Sequence, residues 1–280
     1  MEFGLNEEQE MVVETVRSFV ENEIYPLENQ IEKSGVVPDE IGQDIKNKVK
    51  KLGFFAPNMP VDVGGGGLDN LTFALLEREL GRGSQGLTIF WGRPSNILMA
   101  CNKEQQEEYL FPAVKGDKFD ALAMTEPSAG SDVRGMKCFA KQNGDEYIVN
   151  GTKHFISGPC MPNFAIVFAV TGEDDTPKGK RKRITAFLVD IGLKGFECQE
   201  GTKCVSYRGY KTFQLSFKEV RLGNDKILGK EGQGLELSGK WLGMGRIWVG
   251  ASCCGKAERI LDLASEWGAN RKQFGKPISS

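Results

Sequence analysis

Apolar positions recur along the first 120 residues at the three- and four-residue spacing of helices that bury one face. Asn6 stands where it can cap a helix, with Gln9 three positions on to close a capping box. Val12, Val13, Val16, Phe19, Val20 and Ile24 follow at helical spacing until Pro26 stops the run. Ile41, Ile45, Val49 and Leu52 make a second stripe, which Gly53 is placed to end. The glycines from Gly64 to Gly67 read as a flexible turn before a third helix over Leu71 to Leu80. The largely apolar stretch Gly86 to Cys101 predicts a buried helix, and the polar Lys103 to Tyr109 an exposed one.

From Ala121 the period changes. Short β-rich runs occupy Ala121–Thr125, Tyr147–Asn150, His154–Ile156, Phe164–Val170, Ile184–Asp190 and Phe213–Val220, divided by Asn-Gly, Gly-Asp and Gly-Asn punctuation. Helical spacing returns near Gly234 with Leu235, Leu237, Trp241 and Leu242, and continues from Arg246 to about Asn270. The order predicts an α+β fold: a helical domain over 1–120, a β-barrel or sandwich domain over 121–232, and the beginning of a second helical domain over 233–280.

Composition narrows the chemistry. With 280 residues, 40% of them hydrophobic, the chain can bury a core without staples. Lys+Arg 36 against Asp+Glu 38 leaves no electrostatic footprint for nucleic acid. No run approaches the roughly 20 apolar residues that span a bilayer, and the acidic start lacks the regions of a signal peptide. Cysteines 101, 138, 160, 198, 204, 253 and 254 form no C-x-x-C pair, which fits buried thiols in a reducing, cytoplasmic setting. His154 is the only histidine, so Ser-His-Asp and Cys-His sites and a metal centre are all disfavoured at once.

Four segments carry candidate chemistry. Met124-Thr-Glu-Pro-Ser-Ala-Gly-Ser-Asp132 runs from a strand into a turn of small and hydroxyl residues, whose N–H and O–H groups can serve a ligand or merely connect two elements. Asn150-Gly-Thr-Lys-His-Phe-Ile-Ser157 reads as an Asn-Gly hairpin entering a strand, with an aromatic ring able to pack on a flat ligand. Gly243-Met-Gly-Arg246 offers a helix arginine for phosphate or stacking, or for solvent alone. Arg271-Lys-Gln-Phe-Gly-Lys-Pro-Ile278 is a helix stop led by a cation.

Together these segments resemble the acyl-CoA dehydrogenase family, over the whole chain. Thr125 to Asp132 is similar to that family's flavin-binding signature, and Asn150 to Ser157 to its N-G-x-K-x-(W/F)-I-(T/S) strand, with Phe155 where many members carry Trp and Ser157 where many carry Thr. The resemblance implies FAD held by Leu122, Ala123, Met124, Thr125, Ser131, Phe155, Ile156 and Ser157, with Arg271 and Phe274 reaching a neighbouring subunit's flavin in a homodimer or homotetramer. It implies acyl-CoA held by Ser131, Gly243, Met244, Gly245 and Arg246, although Gly243 stands where an acidic residue is common. His154 is then a structural neighbour of the flavin contacts, and Trp91 and Arg93 are candidate pocket residues. The implied activity is α,β-dehydrogenation of an acyl-CoA thioester, with electrons passed to an electron-transferring flavoprotein.

The catalytic base is expected beyond Ser280, because most members place it in helices that would follow and Gly245 occupies the position one subgroup uses for its glutamate. Within the chain Glu126, Glu231 and Glu236 are the first carboxylates to consider. A non-catalytic flavin- or CoA-binding subunit, an inactive fragment, an acyl-CoA oxidase and an enoyl-CoA reductase are the alternative readings. Gly250 to Ala257 nearly spells a phosphate-binding loop but lacks its hydroxyl, and Lys178 to Arg183 reads as a solvated basic hairpin tip.

Overall fold

The computed structural model describes residues 4–158, 162–177 and 179–280. The helical front begins with α1 (Glu7–Phe19), closed at its start by the Asn6–Gln9 capping box. It does not stop at Pro26. A π-helical turn over Val20–Ile24 absorbs one extra residue per turn and delivers the proline to the first turn of α2 (Tyr25–Ser34), where its missing N–H leaves no bond unmade. Two further helices, α3 (Asp39–Lys51) and α4 (Asn70–Gly81), lie where the apolar stripes predict them.

Between α3 and α4 the glycine run is an ordered loop: Gly65, Gly66 and Gly67 donate to the carbonyls of Pro60, Ala56 and Met59 at 2.8–2.9 Å. A side chain at Gly65 would strike the Met59 backbone, so the loop is packed where the sequence reads as flexible. The apolar stretch 86–101 is not one helix either. Gly92 at φ +79 and Pro94 break it into α5 (Gln85–Thr88) and two 3-10 turns, Ile89–Trp91 and Asn96–Ala100. The layer ends with α6 (Lys103–Gln105), a π turn that buries Tyr109, and α7 (Phe111–Lys115).

The middle of the chain is one curled sheet. Its strands are β1 (Asp120–Ala123), β2 (Phe139–Asn143), β3 (Glu146–Gly158), β4 (Phe164–Thr176), β5 (Gly179–Asp190), β6 (Phe196–Glu200), β7 (Lys211–Gly223) and β8 (Ile227–Leu228). They run in the order β6-β7-β3-β2-β4-β5-β8, with β1 parallel to the start of β4. The two-residue alternation of a strand gives each face its own core. Phe164, Ile166 and Phe168 point to the helices, while Ala165, Val167 and Ala169 point into the curl with Val149, Phe187 and Leu215.

The strands outrun their apolar runs. Past Val170, β4 and β5 continue as a charged ribbon pairing Glu173 with Lys182, Asp174 with Arg181 and Asp175 with Lys180. Of the basic run at its tip, Lys178 lies outside the described residues.

The chain closes with α8 (Gly234–Asn270), a single 37-residue helix crossing α4. Arg78 of α4 and Arg82 at its C-cap bond Glu258 at 2.6–3.3 Å, and Arg82 also bonds Asp262 at 2.7 Å. Leu237 is buried, and Leu235 and Trp241 pack on the helical core, whereas Ile260, Leu261, Leu263 and Trp267 are exposed. Cys253 and Cys254 are exposed too, against the expectation of buried thiols; Cys101 and Cys138 are buried, and Cys160 lies outside the described residues. A small antiparallel hairpin, β9 (Lys272–Gln273) and β10 (Lys276–Pro277), follows the helix. No described helix is long and apolar enough to cross a membrane.

Candidate active site

A cavity of about 360 Å³ opens between the helical layer, α8 and the edge formed by β1 and β3. Strand alternation supplies one wall: Asp120, Leu122 and Met124 line the cavity, whereas Ala121 and Ala123 point into the sheet core. Thr125 continues that wall.

β3 supplies the next wall through a local break in its ladder. Its register with β7 shifts between Lys153 and Ile156, and Phe155 sits there at φ +56 with 57% of its surface exposed. A bulky residue in left-handed backbone costs about 1–3 kcal/mol and persists only where the surroundings enforce it. The effect is to turn a flat apolar ring outward, with Ser157 beside it on the same cavity.

Two ties hold β1 and β3 together at this point. The His154 N–H donates to the Thr125 carbonyl at 2.8 Å, and Lys153 Nζ donates to the Met124 carbonyl at 3.0 Å. Lys153 is fully buried and reaches Glu126 at 2.9 Å, and Glu126 also accepts from the backbone N–H groups of Lys137 and Cys138. Burial alone would raise the Glu126 carboxyl, but the bond from Lys153 and the two backbone donors together hold it below the usual range. His154 is packed on Phe155, ring centroids 3.9 Å apart, with its Nδ1 buried and without a partner among the described residues.

The third wall is α8. Trp241, Met244, Gly245 and Trp248 recur at helical spacing on its cavity face, while Gly243 and Arg246 are exposed on the other. Arg93 faces Trp248 with its guanidinium carbon 5.7 Å from the ring centroid. Its fork grips both oxygens of the buried Glu77, whose carboxyl is raised by burial and lowered by Arg93. Tyr210 completes the lining beside Ser157, and burial raises its hydroxyl.

The cavity therefore gathers Leu122, Met124, Thr125, Phe155, Ile156, Ser157, Met244 and Gly245 from three distant segments. It does not include Ala123, Ser131, Gly243, Arg246, Arg271 or Phe274. Trp91 is core, fully buried, while Arg93 does line the cavity. Glu126 is locked in its ion pair, Glu231 reaches Arg183 and Glu236 reaches Lys240, so none of the three presents a carboxylate to the cavity. Sequence spacing gives no sign of Tyr210, Asn58, Asn96 or Asp120, which arrive from loops and a strand end. No group of three or more potential metal ligands exists among the described residues.

A helical layer, a curled sheet and a cavity between them, walled by an outturned aromatic ring and the end of β1, define an α+β protein with a ligand-sized site at the junction of its layers. Family models for the acyl-CoA dehydrogenase N-terminal, middle and C-terminal domains match residues 6–117, 121–220 and 232–280. The chain is 34% identical over 98% of its length to a 3-(aryl)acrylate reductase of Clostridium sporogenes, covering 72% of that protein. It is 32% identical to a subunit of the caffeyl-CoA reductase–Etf complex of Acetobacterium woodii, over 98% of this chain and 72% of that one. The solved butyryl-CoA dehydrogenase of Megasphaera elsdenii superposes with a TM-score of 0.84 at 31% identity, covering all of this chain and 73% of the other. The chain belongs to the acyl-CoA dehydrogenase family, flavin oxidoreductases that act on the CH–CH bond of acyl-CoA.

Proposed function

We propose that this cavity holds the isoalloxazine of FAD against an acyl-CoA thioester and that the chain serves α,β-dehydrogenation of that thioester. The observation that carries the reading is Phe155: a large ring held exposed at φ +56 beside Thr125 and Ser157, with no packing partner in the β core to explain its strain. A flat cofactor fits such a surface. Met124 and Thr125 would edge it with backbone and hydroxyl groups, Phe155 would stack on it, and Ser157 would offer a hydrogen bond. FAD supplies the hydride acceptor. The chain's own residues fix where the thioester lies, with Trp241, Met244 and Trp248 excluding water from one side.

Arg246 and Ser131, both exposed and outside the cavity, are assigned to the CoA portion and to the rim of the site by the family resemblance. Arg271 and Phe274 stand exposed on the terminal hairpin, Phe274 fully and at φ +51, as residues that reach a neighbouring subunit would. An electron-transferring flavoprotein as redox partner is supported by the Etf complex to which one relative belongs. The reductase names among the relatives concern the same class of bond in the opposite direction, and the arrangement serves either.

Phe155→Gly separates the functional role from a structural one. Glycine relieves the positive φ, so unfolding stability should hold or rise by about 1 kcal/mol. FAD affinity, read from quenching of flavin fluorescence on titration, should fall about threefold to tenfold as the stacking is lost. Unchanged flavin affinity in a stable variant would remove Phe155 from the site, and no flavin binding by the unmodified chain would remove the reading itself.

A further inference from the structure

The cavity wall changes character at the start of β1. Its inward row reads Met124, Leu122, Asp120, apolar, apolar, acid, over about 13 Å of extended chain. Asp120 is joined there by two amides, all three gathered around the segment Pro94–Asn96. Asn58 donates its Nδ2 to the Pro94 carbonyl at 2.8 Å, which leaves its Oδ1 buried with no donor among the described residues. The Asp120 oxygens accept from the Ser95 N–H at only 3.3 and 3.4 Å. Asn96 Oδ1 is also buried without a donor among the described residues.

Three acceptors carried by residues that line one cavity, two of them unmatched, leave a deficit of donors. The cations that also line the cavity do not relieve it. Arg93 is gripped by Glu77, and Lys118 donates to the Glu108 carbonyl at 2.9 Å while lying over the Tyr109 ring. Buried acceptors of this kind discriminate strongly, because a ligand lacking the donor leaves them unpaired. The same neutralised cations give the cavity no attraction for a second carboxylate. Around the acceptors the walls are aromatic, with Phe55, Phe73, Phe119 and Trp241 on the cavity.

We propose that Asp120, Asn58 and Asn96 form a specificity subsite for a hydroxyl group at the far end of an aromatic acyl chain. This rests on the acyl-CoA reading above and narrows its substrate class to hydroxyaryl thioesters. Burial raises the Asp120 carboxyl above its usual range, which suits sharing a proton with a neutral hydroxyl.

Binding of defined thioesters to the purified chain, measured by isothermal titration calorimetry, tests it. The probes are 3-(4-hydroxyphenyl)propanoyl-CoA, 3-phenylpropanoyl-CoA, hexanoyl-CoA and glutaryl-CoA. The hydroxylated thioester should bind about tenfold more tightly than its unsubstituted twin, with glutaryl-CoA weakest. Asp120→Ala and Asn96→Ala, checked for unchanged thermal unfolding, should each shrink that preference to about threefold or less. Should either variant fail to fold, the comparison of the two aryl thioesters on the unmodified chain still decides. Equal affinity for the two overturns the subsite and leaves the acyl-CoA reading standing. No binding of any thioester overturns both.

Discussion

Lys153→Met should destabilise the chain by about 3–5 kcal/mol, because it leaves the buried Glu126 carboxylate without its cation. Against a total stability of about 5–15 kcal/mol for a typical domain, that is a large share. Glu126→Ala should cost a similar amount by stranding the fully buried ammonium and releasing the N–H groups of Lys137 and Cys138. The double variant should be destabilised by clearly less than the two losses added together, since neither charge is then left alone.

The pair also sets a pH dependence, whose sign follows from Glu126. Its folded-state pKa is lowered, so its contribution is complete above the unfolded value of about 4.3 and is lost as pH falls through the folded one. Denaturant unfolding between pH 3 and pH 7 should therefore show a steeper acid-side loss in the unmodified chain than in Glu126→Gln. Parallel pH profiles would mean that the carboxylate is not coupled to folding. The consequence reaches the cavity, because Lys153 also holds the Met124 carbonyl on the wall where the flavin is proposed to lie.

This pair shows where the sequence is legible and where it is not. Thr125 to Asp132 and Asn150 to Ser157 stand out as segments, one a turn that follows β1 and the other the second half of β3. Nothing in either segment alone says that Glu126 and Lys153 meet, because that contact depends on how the turn after β1 folds against β3. The apolar stripes of α1, α3 and α4 are readable because one face of each is buried against a single core. The stretch 86–101 misleads because it is apolar and mostly buried, Met99 apart, so periodicity cannot tell a helix from short turns broken by Gly92 and Pro94. Strand ends misread for the opposite reason. The β4–β5 ribbon leaves the core and lives on cross-strand charge pairs, which carry no apolar signal. The polar end of the cavity is illegible altogether: Asn58, Asn96 and Asp120 are ordinary loop and strand-end residues until the fold brings them together.

Gly255→Ala should lower stability by about 2–3 kcal/mol, although the same change at an open helix position would raise it by about 1 kcal/mol. The two helices that wall the cavity and its support, α8 and α4, touch backbone to backbone. A Cβ on Gly255 would land on the Arg78 carbonyl of α4, and a Cβ on Gly81 would land on the Ser252 carbonyl of α8. Neither neighbour is a flexible side chain that can swing aside, so the helices must separate. Separation would stretch the bonds from Arg78 and Arg82 to Glu258 and shift the helix that carries Trp241, Met244 and Trp248 to the cavity. Ligand binding should therefore weaken together with stability. Gly250→Ala is the matched control on the same helix, since a Cβ there meets nothing within 4 Å. Urea midpoints of the two variants should move in opposite directions at unchanged slope. A Gly255→Ala chain as stable as Gly250→Ala would mean that α4 and α8 do not cross at these glycines, and the cavity's third wall would have to be drawn elsewhere.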